Sequence, residues 1–400
     1  MKKYYLSILV MLLIPLAGMS TDIYLPSLPA IAAHFGVYKS LAQFTVTAYI
    51  FAMGLGQFIA GPVSDALGRK KLLVTSLSLQ VLSVFAILHS PSIHWIIVLR
   101  FIQGAAAAFM IVPARAILND IYEGDKLKKQ FNYLTIAFAV GPIIAPFIGG
   151  YLQHYIGWKA NFYFILIFAF VLLLVVLFIL YETIAETTRF SPNKILHNYK
   201  IILTNKHFAV GSLTLGILFG YTGLFNVSGT FLIQIGMHHS AIVYGRIALL
   251  VGFAWFLGNL INRLAFHINK KFKAQIALLL SFLASLCMFI LSWSGYFNLP
   301  TFVVPTFVVT LFSAVFFSTY AAECLTLFPR LAASANGALF SITWIMYSFY
   351  TFIASFLKPH SLVPISVIYI LVGLVALGLY YFCLLPIEKT EDSIRRKFKS

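Results

Sequence analysis

From Tyr4 to Met19 the chain carries no charged side chain, and apolar runs of similar or greater length recur along all 400 residues. A helix needs about 20 mainly apolar residues to cross the hydrocarbon of a bilayer. Lipid offers no partner to a free backbone amide, which leaves helices or a closed barrel as spanning elements. The alternating-polarity segments of a barrel are absent. Hydrophobic residues make up 61% of the chain and charged residues 10%, against about half and a quarter in soluble domains. The fold class is therefore an all-α membrane protein. Twelve spans are expected, at 5–25, 41–63, 72–89, 94–118, 131–151, 161–181, 208–232, 245–266, 274–294, 299–322, 334–357 and 362–384.

The basic residues orient these spans. Of 28 Lys and Arg, 22 fall in segments on the N-terminal side, while Lys39, Lys159, Arg246 and Lys358 fall on the other. Arg100 and Arg115 lie within a span. The positive-inside rule then places both termini in the cytoplasm. The same scatter argues against nucleic acid as the reason for the net charge of +17, because no basic domain gathers it. Cys287, Cys324 and Cys383 lie in or beside apolar runs and outline no disulfide framework. Lys2 and Lys3 before an apolar stretch imitate a signal peptide, but no A-x-A site follows, so an uncleaved first helix is expected. The longest polar connection falls midway. It divides the chain into a six-helix bundle (1–181), a cytoplasmic linker (182–207), a second six-helix bundle (208–387) and a cytoplasmic tail (388–400).

Three stretches carry motifs. "GPVSDALGRKK" joins the second and third spans: Gly61 and Gly68 permit a tight turn, Asp65 and Arg69 oppose charges four residues apart, and Lys70 follows. "LRFIQGAAAAF" puts Arg100 and Gln103 inside the fourth span. An arginine there costs on the order of 2.5–3.5 kcal/mol on insertion scales unless it faces a cavity or a partner, or snorkels to the interface. "AVGPIIAPFIGGYL" places Gly141, Pro142, Pro146, Gly149 and Gly150 in the fifth span, where prolines break the hydrogen-bond ladder and glycines admit a close neighbour.

Six plus six spans about a central linker resemble the major facilitator superfamily, whose cavity lies between the halves near the midplane. The first motif resembles its signature loop and the second its fourth-helix motif, whose arginine faces the interior and is linked to proton transfer. The third resembles the motif of drug:proton antiporters. "TDIYLPSLPAIAAHF" is similar to the first-helix signature of the Bcr/CflA family, the bicyclomycin and chloramphenicol resistance transporters, and "PARAILNDIY", "LFPRLAASANGAL" and "NRLAFHINKKF" resemble further stretches of it. Asn119 departs from the family's usual arginine, and the second-half counterpart of the signature loop keeps Asn262 and Arg263 without D-x-x-G.

The resemblance implies that Asp22 is a protonation site for which substrate and proton compete, with Arg100 and Gln103 beside it. Removal from water penalises a charged carboxylate, so such a group can gain a proton at one face and lose it at the other. At 1.5 Å per residue Asp22 lies about 26 Å along a helix begun at Tyr5. Pro26 and Pro29 fit a helix that stops nearby, leaving Asp22 at its outer end; a span that runs past Pro29 moves it inward. Asp65, Arg69, Arg115 and Asp120 are expected to pair as a cytoplasmic latch favouring the outward-open state, with Glu323 a weaker gating candidate. His238 and His239 read as an external turn rather than a metal site.

The expected activity is proton-coupled export of small amphipathic compounds, or of one metabolite such as a siderophore, by a monomer in the inner membrane. An enzyme or channel lacks support: no paired carboxylates, histidine cluster or pore ring is visible. No metal or cofactor is expected beyond the proton gradient, and no phosphate-binding G-x-x-x-x-G-K-[ST] motif occurs. One proton entering down about 100 mV supplies about 2.3 kcal/mol, enough for about a 50-fold gradient of a neutral substrate.

Overall fold

Each apolar run folds as a helix, which pairs every backbone amide within its own segment. The computed structural model describes residues 2–184 and 186–388, so the tail from 389 onward lies outside the described residues. The first half holds α1 (Lys2–Asp22), α2 (Leu28–His34), α3 (Lys39–Leu67), α4 (Arg69–Leu88), α5 (Ile93–Ile121), α6 (Gly124–Tyr155) and α7 (Trp158–Ile179). After α8 (Pro192–Thr204), the second half holds α9 (Lys206–Phe231), α10 (Ala241–Leu264), α11 (Lys270–Trp293), α12 (Leu299–Thr326), α13 (Ala332–Ala354) and α14 (Val363–Leu379). Among the described residues 12 helical runs are long and apolar enough to cross a membrane, with α1 and α2 forming one of them. An even number of crossings puts residue 2, residue 388 and the connection around α8 on one face. We call it the linker face, and its opposite the far face.

Most span ends shift by a few residues from the sequence reading, and three differences bear on the site. The first span does not stop at Pro26: a short 3₁₀ turn (Leu25–Ser27) joins α1 to α2, and the run continues to His34. Pro26 and Pro29 stand in the opening turns of these two segments, where a missing N–H is harmless and the fixed φ suits a helix start. They restart the helix instead of ending it. The fifth span begins at Gly124 rather than 131, and the polar linker contains α8.

Glycine sets how closely helices approach. A Cβ on Gly104 of α5 would run into the Tyr49 carbonyl of α3, and one on Gly149 of α6 into the Ile23 carbonyl after α1. Backbone cannot yield as a flexible side chain can. Gly61, by contrast, would meet nothing nearer than Val112 Cγ1 at 4.0 Å.

The halves meet along α3 with α13 and α6 with α10. Toward the far face the seam is hydrogen-bonded: Gln43 Nε2 donates to the Val227 carbonyl (2.9 Å), Gln234 Nε2 to the Pro26 carbonyl (2.9 Å), and the Thr47 and Thr351 hydroxyls lie 2.9 Å apart. Lys39 donates to the Leu357 carbonyl. On the linker side, α8 is tied to α3 through a proline. Pro62 has no N–H, so the helix leaves the Phe58 carbonyl without its usual donor, and the Tyr199 hydroxyl supplies one at 2.5 Å. Burial pushes the Tyr199 hydroxyl up to about 12, so it keeps its proton through the physiological range.

Two outcomes follow. Gly149→Ala should lower the melting temperature of detergent-purified protein clearly, and Gly61→Ala should leave it unchanged. Tyr199→Phe loses one hydrogen bond of about 1 kcal/mol, so trypsin should cut at Lys194 or Lys200 about fivefold faster wherever cleavage awaits local opening.

Candidate functional site

The 3₁₀ turn that extends the first span decides where Asp22 sits. As the last residue of α1 it lies inside the run from Lys3 to His34, away from either end. It is 7% exposed, and among the described residues its carboxylate has no hydrogen-bond or ion-pair partner. It lies within electrostatic reach of the hydroxyls of Tyr24 and Tyr49 in its own half. It also reaches those of Tyr244 (α10) and Tyr347 (α13) in the other half. The carboxylate therefore stands at the boundary between the halves.

Arg100 is fully buried in the first half, which removes the snorkelling alternative. Its guanidinium carbon lies 4.4 Å from the Tyr24 ring centre and 4.2 Å from that of Tyr49. Nη1 donates to the Ser20 carbonyl (2.9 Å) and to Gln103 Oε1 (2.6 Å). Gln80 Nε2 in turn donates to the Gln103 carbonyl at 3.0 Å. Two ring faces can each contribute about 2 kcal/mol when the cation is desolvated, and the bonds hold the side chain in one pose. Its field reaches Asp22, yet the two do not form an ion pair.

The facing wall comes from residues that the sequence did not single out. Asn226 of α9 accepts from Tyr244 through its carbonyl (3.0 Å) and donates Nδ2 to the Tyr347 hydroxyl (2.9 Å). Behind it, Phe219 packs on Trp255, Phe317, Trp344 and Tyr347 with ring centres 5.0–5.9 Å apart. Asn226, an amide in an otherwise apolar stretch, was the available signal. The aromatics were indistinguishable from lipid-facing rings.

On the linker face, Gly68 has φ +89, a region that glycine adopts without strain. The turn brings Arg69 back over α3, where Nη1 donates to Asp65 (2.6 Å) and Ser64 Oγ (2.7 Å) and Nε to Asp120 (3.2 Å). Glu182 accepts from the backbone N–H of Arg69 (2.9 Å) and of Lys70 (3.1 Å), satisfying free donors at the N-terminus of α4 with a favourable charge. Lys70 Nζ reaches the Leu177 carbonyl (3.1 Å), and the Thr183 hydroxyl donates to Asp120 (2.8 Å). Asp65, Arg69 and Asp120 thus come together, joined by Glu182 and Thr183, which the sequence reading missed. These pairs all lie within the first half and its linker. Arg115 does not join them: its guanidinium lies over Phe138 (5.6 Å) and Phe340 (5.1 Å).

The glycine–proline motif of α6 is a packing face. Gly141 lies against Pro15, Pro142 against Gly18 and Gly149 against Ile23, while Gly150 meets Ala241 and the Pro146 carbonyl meets Gly245 across the seam. In the second half, the eroded loop is replaced by other charges. Lys270 donates to Glu323 and lies 3.5 Å from Glu388, with His207 3.7 Å from Glu323 and Tyr320 donating to Glu388 (2.8 Å). The ligand atoms of His207, Glu323 and Glu388 lie within 4.8 Å of one another, and Lys270 pairs with one oxygen of each carboxylate. His238 lies in the turn before α10 with φ +57.

The Major Facilitator Superfamily pattern matches residues 10–351. The chain belongs to that superfamily. The MFS-type transporter YdgK of Bacillus subtilis is 33% identical over 291 residues, covering 71% of this chain and 72% of that one. The bicyclomycin resistance protein homolog of Haemophilus influenzae is 26% identical over 338 residues, covering 80% and 81%. Such relatives support the Bcr/CflA branch. A solved bacterial homolog of the human lysosomal transporter Spinster shares the fold, with TM-score 0.73, 14% identity and coverage of 97% and 98%. The protein is thus a multi-pass membrane transporter of small molecules and not an enzyme.

Exposure ranks the linker-face pairs. The Asp65 side chain is 47% exposed and that of Asp120 is 17%. Asp120→Ala should destabilise the transporter by about 1–3 kcal/mol and Asp65→Ala by under about 1 kcal/mol, read as thermal unfolding in detergent.

Proposed function

We propose that this transporter exports small amphipathic compounds in exchange for protons, with Asp22 as the group that proton and substrate share. The observation that carries the reading is the Asp22 carboxylate, enclosed at the boundary of the halves and bonded to neither. A carboxylate committed to an ion pair would change little between conformations. One that meets only tyrosine hydroxyls and the field of Arg100 responds to every change of solvent access.

The basic linker face is cytoplasmic on the positive-inside rule, and the membrane is the inner membrane of a bacterium. In the cycle we infer, Asp22 exchanges its proton with the cytoplasm when the halves part on the linker face. A substrate entering from there lays its apolar body against Phe219, Trp255 and Trp344, and Asp22 gives up its proton. Rocking of the halves breaks the Gln43, Gln234 and Thr47 bonds, each worth about 1 kcal/mol, and opens the site outward. Protonation of Asp22 from outside then releases the substrate, and the neutral site returns. Arg100 supplies a constant positive field that keeps the charged form of Asp22 attainable. The names of the relatives, which include bicyclomycin and multidrug resistance proteins, support export as the direction. No further cofactor or partner chain enters the cycle.

The test uses proteoliposomes and purified protein. Uphill efflux of a phenicol or a lipophilic cation should collapse with a proton uncoupler. In weakly buffered detergent, substrate addition should release protons from the native protein and none from Asp22→Asn. Full uphill transport by Asp22→Asn would remove this residue from the coupling.

A further inference from the structure

The geometry points to a second ligand subsite, at Arg115, that takes the carboxylate of an aromatic substrate. Within α5, Arg115 lies six residues, about 9 Å, from the linker-face end and about 22 Å along the axis from Arg100. It is half-buried, and its ring neighbours come from both halves, which places it at the seam rather than on the lipid-facing surface.

Its partners are what single it out. The guanidinium lies 5.6 Å from the Phe138 ring centre in the first half and 5.1 Å from that of Phe340 in the second. Among the described residues no hydrogen bond or ion pair engages it. The nearby acids are committed elsewhere: Asp65 and Asp120 to Arg69, and Glu182 to the N-terminus of α4. A guanidinium stays charged and presents five N–H donors in a planar fork. Setting such a group inside a transporter without an anion is unfavourable, unless the anion arrives with the ligand.

Ring faces beside the guanidinium narrow the class of ligand. They sit beside the cation without engaging its N–H donors, which stay available for a bidentate oxyanion, and they offer a planar ring surface on which to stack. An aryl carboxylate meets both demands. A neutral aromatic meets only the second, and acetate or phosphate only the first. Because Phe138 and Phe340 belong to opposite halves, a ligand held here bridges them at the side from which substrate enters. The ligand's identity as cargo rests on the export reading, but its binding does not.

Equilibrium binding to detergent-purified transporter tests the subsite without a proton gradient, so a failure of proton coupling leaves the result unchanged. Radiolabelled benzoate should bind at least tenfold more tightly than benzyl alcohol, acetate or inorganic phosphate compete for it. Arg115→Gln should weaken benzoate at least tenfold and leave benzyl alcohol within twofold. Phe340→Ala, which keeps the charge, should weaken both. Size-exclusion elution matching the native protein establishes that each variant is folded, and Arg115→Lys, which retains charge but not the fork, should fall between native and Gln. Competition by benzyl alcohol equal to that of benzoate, unchanged binding in Arg115→Gln, or phosphate binding as tightly as benzoate would overturn the assignment.

Discussion

A positive charge that cannot reach water has to be held by something else, and in this transporter that demand falls first on Arg100. Tyr24 and Tyr49 take its flat faces, and Ser20 and Gln103 take one of its nitrogens. These partners come from α1, its following turn, α3 and α5, so enclosing one guanidinium also locks the helices of the first half around it. The consequence for function is indirect. With Arg100 anchored to neutral groups, its field remains at the boundary of the halves and is not cancelled by Asp22.

The two halves manage their linker-face charges by different means. In the first, a glycine turn folds Arg69 onto two aspartates, and a glutamate from the start of the linker closes the N-terminus of α4. In the second, lysines at the start of α11 meet Glu323 and Glu388, which come from α12 and the end of the last span. The pairs described in each cluster stay within its own half and the adjoining linker. Most of what crosses is small or neutral, glycine against backbone, amide against carbonyl and hydroxyl against hydroxyl, and the cations that cross, Lys39, Arg115 and Arg246, meet a carbonyl, a ring and a hydroxyl rather than an acid. Such contacts are individually weak and can be exchanged as the halves rock.

Much of this is legible in the sequence. Long uncharged runs imply helices because lipid gives a backbone no alternative, and the helix count and central division follow from that. The signature loop was legible because i,i+4 charges and a glycine turn are local. Glu182 and Thr183 were not, since their partners lie more than 60 residues away in sequence. Pro26 and Pro29 misled for a related reason. Proline at the first turn of a new helix and proline ending an old one look alike until the next segment is seen to continue the same path.

The sequence by itself determined the class of protein, the number of crossings and the residues able to carry charge in an apolar setting, because those depend on local composition and on the solvent. Only the tertiary structure decided what each charge does. It buried Arg100 among rings, left Asp22 unbonded between the halves, and moved Arg115 out of the latch to lie between Phe138 and Phe340. A charged side chain's role in a low-dielectric interior is set by which groups surround it in three dimensions, and spacing along one helix does not carry that information.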